Sequence, residues 1–476
     1  MSSSEKQPSR HENKLLPVPG PTLPYWRTEL HPLDSHHSTP ELPAECDILI
    51  IGAGMSGVSV AYQLSQAQPQ DNTTTTSSPP PPSIVLLEAR QVCSGATGRN
   101  GGHAKVKTAT LLSLIAKHGP DSGFVDDWDA YVGAQIHALK AVVEREGLDC
   151  EFELRRSYDT FNAARDAAEI RKSFAEALRR GDAWTRERDL VVEAFVERVS
   201  AVRGARGAVS TPACSLWPYK FVTQLLAKAM ERYPRLNLQT ETAVLGVESS
   251  GDGDDGGSVV ETSRGSIRAR KVVFATNAYT AGLLPQYKGV ITPYKGTAAH
   301  LAPPAEKGPV YPHLSHTYNL EYGLDIEGET VDYLNPRPDG GIVVGGGKYL
   351  YEAQRELWWD TVDDSTLLNP IVKGKYFEGY MQRNFRGWED SGTVADRIWT
   401  GIQGQTGDGF PHIGQVPGQK NQWVLAGYNG GGMSLIFLAA TELAKMVKDD
   451  LPFEEIDPIV PKFFKTTEER LKASGV

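Results

Sequence analysis

Gly52, Gly54 and Gly57 stand directly after the apolar run Asp47-Ile-Leu-Ile-Ile51 and open the helical pattern Met55-Ser-Gly-Val-Ser-Val-Ala-Tyr-Gln-Leu64. A strand, three glycines in this spacing and a helix start form a site for the pyrophosphate of a dinucleotide. The first glycine allows the tight turn and the second lets phosphate oxygens reach the backbone. The third lets helix and strand pack closely, and the helix N-terminus faces the anion with Met55 and Ser56 in its first turn. Leu86-Leu87-Glu88 supplies a second strand ending in a carboxylate that can accept ribose hydroxyls, with Ala89 and Arg90 just beyond it. Further on, Cys93-Ser94-Gly95-Ala96-Thr97-Gly98-Arg99-Asn100-Gly101-Gly102-His103 is a loop of small residues and glycines whose backbone can crowd around a ligand. His103 closes this loop directly after two glycines. Arg99 is placed to pair with an anion or to lock the loop by bonding its carbonyls.

The same glycine spacing recurs at Gly251-Asp-Gly-Asp-Asp-Gly256, but no apolar strand precedes it and three aspartates would repel a phosphate, so it reads as a solvated loop. Glu88 lies 31 residues past Gly57 instead of the usual ~20. Residues 66–83, rich in Gln, Thr, Ser and Pro, explain the gap as a disordered surface insertion between helix and strand.

With 476 residues and 40% hydrophobic content, the chain can build two or three layers around real cores. Its net charge of −10 and lack of a basic run argue against nucleic acid as a partner. Cys46, Cys93, Cys150 and Cys214 show no zinc spacing, so no metal is expected. No apolar run reaches the length of a membrane span and no leader is visible, which makes a soluble cytoplasmic protein without a membrane partner the expectation.

The elements predict an α/β protein: a Rossmann-type domain from residues 46–120, 200–291 and 398–450, interleaved with an α+β substrate domain from 121–199 and 292–397 built on an antiparallel sheet. Residues 1–45 read as a polar N-terminal extension and 451–476 as a C-terminal tail. Strands are predicted over 236–239, 243–247, 258–262 and 271–279, the last ending in the small residues Ala275-Thr276-Asn277-Ala278. A core helix over 434–447 is predicted to be capped by Ser434.

These motifs, with Gly404-Gln-Thr406-Gly-Asp408 and Gly427-Tyr-Asn429-Gly430-Gly431-Gly432-Met433, resemble over residues 46–447 the D-amino-acid-oxidase-like family of FAD-dependent oxidoreductases. The branch is the one of glycine oxidase, sarcosine oxidase and gamma-glutamylputrescine oxidase, and the Gly-Arg-Asn-Gly-Gly-His form is most like fungal members. The resemblance implies FAD, with its ADP half on the first glycine motif, the 94–102 loop beside pyrophosphate and flavin, Val244 and residues 275–277 at the cofactor, and residues 429–433 under the ring's pyrimidine edge. Asp408, inside a matching motif, is implied to lie near the flavin. It also implies oxidation of a C–N bond in a small amine or amino-acid-like substrate by hydride transfer to flavin N5, with imine hydrolysis and reoxidation by O2 or another acceptor.

Three departures matter. No cysteine follows Cys214, so a C-terminal thioether to FAD is not expected and the cofactor is read as noncovalent, with His103 or Cys93 open as a tether. Met433 and Ser434 stand where relatives place a carboxylate-binding lysine, and Ile342-Val-Val344 lacks the lysine credited with oxygen activation. Lys348 and Arg337 remain as candidates to touch substrate beside His103, and Tyr318, Tyr322, Tyr333, Trp358 and Trp359 as walls of an aromatic amine pocket. Alternative readings are a flavin monooxygenase, a dehydrogenase of another substrate class, or a FAD-binding protein without turnover.

Overall fold

Residues 48–51 carry apolar side chains on both faces, so their strand requires cover on both sides, and it lies in the middle of a parallel sheet. The computed structural model describes residues 15–66, 80–249, 256–323 and 330–473. In it β1 (Glu45–Ile51) pairs in parallel with β2 (Ile84–Leu87) on one side and with Gly265–Phe274 on the other. Leu236–Gln239 and Gln422–Ala426 extend the parallel set outward. Val244–Ser249 and Ser258–Thr262 form an antiparallel arm on Gly265–Phe274, and His412–Gln415 closes the far edge. Helix α1 (Met55–Ser65) packs on the helices Pro218–Arg232 and Ile436–Asp449. Its Gly57 lets it lie close to the end of β1, since a Cβ there would lie 1.9 Å from the Gly52 carbonyl oxygen. Of the expected insertion at 66–83, residues 67–79 lie outside the described residues, as do residues 251–255 of the second glycine motif at 251–256.

A second sheet of nine described strands runs in the order Val394–Thr406, Ile291–Ala302, Ile342–Gly345, Val331–Pro336, Thr317–Glu321, β4 (Glu153–Phe161), Gly207–Ser215 and β3 (His103–Lys105), with Asp189–Leu190 on Gly207–Ser215. It is mixed rather than antiparallel, because β4 and Thr317–Glu321 pair in parallel. The expected domain boundaries shift with it. β3 and Gly207–Ser215, assigned to the cofactor domain from sequence, are strands of this sheet, and Val394–Thr406 crosses the boundary set at 398. Conversely the helix Phe124–Glu146, assigned to the substrate domain, buries Tyr131, Val132, Ile136 and Leu139 in the core that also holds Ile48, Val58 and Leu443. Its apolar stripe carried no signal about which sheet it would cover.

Both ends of the chain are more than appendages. Trp26 is fully buried, donates from Nε1 to the Asn100 carbonyl at 2.6 Å, and sits where a Cβ on Gly102 would lie 2.6 Å from its ring. Phe463 and Phe464 close an aromatic cluster with Phe124, Trp128 and Phe410. The polar composition of residues 1–45 hid one short apolar plug. Truncating it with Trp26→Ala is expected to cost about 3–5 kcal/mol of stability, as for other fully buried large side chains, measured by denaturant unfolding of the full chain. A loss under 1 kcal/mol would show the extension to be dispensable.

Candidate functional site

One continuous cavity of about 820 Å³ runs between the two sheets. At one end Gly52 takes φ +105°, donates to the Leu87 carbonyl at 2.7 Å, and leaves no room for a side chain, since a Cβ would lie 2.7 Å from the Ala275 oxygen. Beside it the Glu88 carboxylate accepts from the N–H groups of Ala53 at 2.9 Å and Arg90 at 3.0 Å, which fixes its direction into the cavity wall. Arg90 forms a two-pronged pair with buried Asp364 at 2.9 and 3.0 Å and also donates to the Val18 carbonyl, so the N-terminal segment with Leu15, Leu16 and Pro17 forms part of this wall.

The 93–103 loop continues the wall, and its carbonyl groups are drawn away from the cavity one after another. Arg99 Nε donates to Ser94 at 2.8 Å, Asn100 Nδ2 to Thr97 at 3.0 Å, Trp399 Nε1 to Arg99 at 2.9 Å, and Trp26 Nε1 to Asn100. Asn335 Nδ2 donates to both Gly101 and Gly102, at 2.9 and 3.0 Å. Arg99 also reaches the Thr400 carbonyl at 2.7 Å, so of its two sequence readings the structure realises the loop lock. Burial lowers its pKa to about 10. With these acceptors committed inside the protein, the loop's carbonyls are taken up before an anionic ligand could meet them.

Opposite stands a cage of amide side chains. Asn277, at φ +43°, accepts through Oδ1 from the Gly427 N–H at 3.1 Å, while Asn429 accepts from the Thr406 N–H at 2.8 Å and donates to the Gly427 carbonyl at 2.9 Å. These bonds bring Ala275, Thr276, Thr406 and the 429–433 loop to one wall, and Val244 lies on it too.

Some expected residues are elsewhere. Gly57, Ser94, Gly102 and Gly404 lie behind the wall as packing and loop positions. Asp408 turns outward to a two-pronged pair with Arg470 at 2.7 and 3.1 Å, locking the C-terminal helix Glu468–Ala473 instead of meeting the cavity. Arg337 is buried against the Trp26 ring and paired with Glu151, also off the cavity. The Cys93 thiol, 1% exposed and behind the loop, is pushed far up by burial and is no candidate tether. Ser434 does not cap the last helix, which begins at Ile436. Its hydroxyl bridges the Lys105 N–H and carbonyl, and Gln135 Oε1 accepts from Leu438 in the first helical turn instead.

The other end of the cavity is aromatic, walled by Tyr294, Tyr333, Tyr351, Trp358 and Trp359, while Tyr318 and Tyr322 lie outside it. Lys348 stands over the Trp358 ring at 4.7 Å and pairs with Glu352 at 3.3 Å. The glycines before it fit around buried Asp332, which accepts from the Gly347 N–H and from the hydroxyls of Tyr322, Tyr376 and Tyr380. His103 lies edge-on to Tyr333, with its Nδ1 buried and unpartnered, and burial followed by the charge of Lys105 holds it well below its ordinary pKa. Lys105, Asn319, Gln403 and Tyr428 also line the cavity, and the sequence reading missed them. The alternation His103-Ala-Lys105 was the one available signal, for it puts two polar side chains on one face of a strand.

A family model described as FAD dependent oxidoreductase (DAO) matches residues 47–446. Gamma-glutamylputrescine oxidoreductase of Escherichia coli (strain K12) is 23% identical over 414 residues, 85% of this chain and 84% of that protein. Among solved structures, glycine oxidase from Geobacillus kaustophilus superposes with a TM-score of 0.65 at 18% identity, covering 89% of this chain and 99% of that one. L-proline dehydrogenase from P. horikoshii gives 0.63 at 17%, covering 89% and 97%. These likenesses leave the resemblance to fungal members where the sequence left it. Among the described residues no helix is long and apolar enough to cross a membrane.

Two measurements follow from this geometry. Asp408→Asn is expected to cost about 1 kcal/mol of stability while leaving flavin content and spectrum unchanged; loss of flavin would return Asp408 to the cofactor. Burial lowers the Lys105 pKa from 10.5 to about 7. Between these values the unfolded chain binds more protons than the folded one, so stability rises with pH across that window, by at most about 1.4 kcal/mol per unit. Denaturant titrations of wild type and Lys105→Met at pH 7 to 10.5 are expected to diverge in favour of wild type as pH rises, and parallel curves would contradict the burial of this amine.

Proposed function

The chain belongs to the FAD dependent oxidoreductase (DAO) family, and from that premise we propose that it oxidises a carbon–nitrogen bond of a small amine or amino-acid-derived substrate, with O2 as the acceptor that restores the flavin. The observation that carries this reading is the single cavity that joins the glycine and Glu88 end to an aromatic chamber. The residues fit the cofactor. Gly52 and Gly54 line the cavity with bare backbone for a pyrophosphate, Glu88 is oriented for ribose hydroxyls, and the 93–103 loop, its carbonyls held inside the protein, and the 429–433 loop flank a cleft for the ring. When bound, FAD supplies the two-electron acceptor for a hydride from the carbon next to nitrogen.

The protein's share is binding and positioning. Tyr294, Tyr333, Trp358 and Trp359 offer faces to an organic cation and exclude water from the reacting end. His103, kept neutral by burial, adds no second cation there. With Cys93 behind the loop, the cofactor is read as noncovalent. The names of the relatives, which act on gamma-glutamylputrescine, glycine and L-proline, support an amine or amino acid as substrate.

Anaerobic mixing of the yellow protein with a panel of primary and secondary amines and amino acids is expected to bleach the flavin with at least one of them, and air to restore the colour with one peroxide per turnover. Bleaching by NADPH and by no amine would replace this reading with that of a monooxygenase.

A further inference from the structure

Lys105 is the cavity cation whose surroundings ask for an explanation beyond binding. Its Nζ lies 3.0 Å from Ser157 Oγ and 2.8 Å from the Tyr318 carbonyl oxygen. Ser157 commits its own hydrogen to the Thr317 carbonyl at 3.1 Å, so toward Lys105 it acts as an acceptor, as the Tyr318 carbonyl must. Two acceptors match the two N–H bonds of a neutral amine, which leaves the remaining tetrahedral position to its lone pair, and Lys105 is a residue of the cavity lining.

No carboxylate among the described residues pairs with Lys105. Asp159, on neighbouring β4, is the acid that bears on it, but its oxygens are taken by the Thr108 N–H at 2.6 Å and Asn319 Nδ2 at 2.6 Å. The other charged or titratable groups around it are His103 and Lys107 beside it in the chain and Arg155 on β4. Thr317–Glu321 offers it the Tyr318 backbone carbonyl and places neutral Asn319 on the cavity wall, and the loop at Ser434 meets its backbone through a neutral hydroxyl. The strand is fixed at both peptide groups of Lys105 by the Ser434 hydroxyl, so the side chain is presented from a rigid base.

We propose that the neutral amino group of Lys105 takes the proton from the substrate's ammonium group inside the cavity, R–NH3+ and Lys–NH2 becoming R–NH2 and Lys–NH3+, so that oxidation begins from the neutral amine. The inference rests on the amine reading above. An amine substrate arrives protonated at neutral pH, and its nitrogen lone pair must be free before the neighbouring carbon can give up a hydride. A base titrating near 7 is best poised to free it. Wild-type Lys105 is a catalytic residue in this account, while Ser157 and the Tyr318 carbonyl position it.

The test uses FAD-loaded wild type, K105M and K105Q, the last keeping an amide whose two N–H bonds can serve the same acceptors. Anaerobic flavin reduction by the amine active with wild type is followed from pH 6 to 10. Wild type is expected to rise through pH 7 and level off. Both variants are expected to be about 100-fold slower at pH 7, to climb tenfold per unit as the substrate's own neutral fraction grows, and to approach wild type near pH 10. Without substrate, the absorption spectrum of the bound flavin is expected to step near pH 7 in wild type and to stay flat there in the variants, a readout independent of turnover. His103, held well below its ordinary value, cannot supply that step. Variants that keep the wild-type pH profile, or a wild-type spectrum without the step, overturn the role of Lys105 alone. Failure of every amine to reduce wild type overturns the amine reading, and this inference falls with it.

Discussion

The structure depends on how the 93–103 loop is held. Its carbonyl oxygens at Ser94, Thr97, Arg99, Asn100, Gly101 and Gly102 are bonded by Arg99, Asn100, Trp399, Trp26 and Asn335. The donors come from the loop itself, from the N-terminal segment and from two strands of the second sheet. A loop of small residues has little side-chain surface to anchor it, and the ordering cost of its glycines is high. Buried donors from three parts of the chain offset that cost, and they also set the loop's polarity. Because they consume these carbonyls, the loop keeps few free acceptors to set against an anionic ligand.

This lashing explains why the two domains cannot be cut apart in sequence. β3 leaves the loop and joins the edge of the second sheet, so the strand carrying His103 and Lys105 is a continuation of the glycine-rich loop and a wall of the cavity at once. Asp364 of the second domain lies between Arg90 and Arg99 of the first, a buried acid shared by two guanidinium groups. Charge burial of this kind is costly unless every partner is present, which makes the pairing a device for fixing the relative placement of domains more than a source of stability.

Much of the cofactor end was legible in the sequence because its constraints are local. Gly52 needs a positive φ, Gly57 needs a missing Cβ, and an apolar run must precede them, all within about ten residues. The reacting end was less legible because its constraints are distant. Arg337 and Asp408 looked functional by type and motif, yet each found a private partner, Glu151 and Arg470, far away in sequence. Lys105 looked like an ordinary strand lysine, and only the fold shows that it lines a cavity and donates to two neutral acceptors. Trp26 was hidden by the polar residues around it. The boundary errors have the same origin, since an amphipathic helix such as Phe124–Glu146 declares that it covers a core without declaring which.

In the proposed reading one cavity carries cofactor and substrate end to end, with the lashed loop and β3 as their common wall. A crystal structure of the oxidised protein with FAD tests it most directly. The pyrophosphate is expected at Gly52 and Gly54, a ribose on Glu88, and the flavin ring along residues 99–103 with its reacting edge open to the chamber of Tyr333, Trp358 and Lys105. A ring lying outside that chamber, or with its reacting edge turned to Arg337 or Asp408, would contradict it.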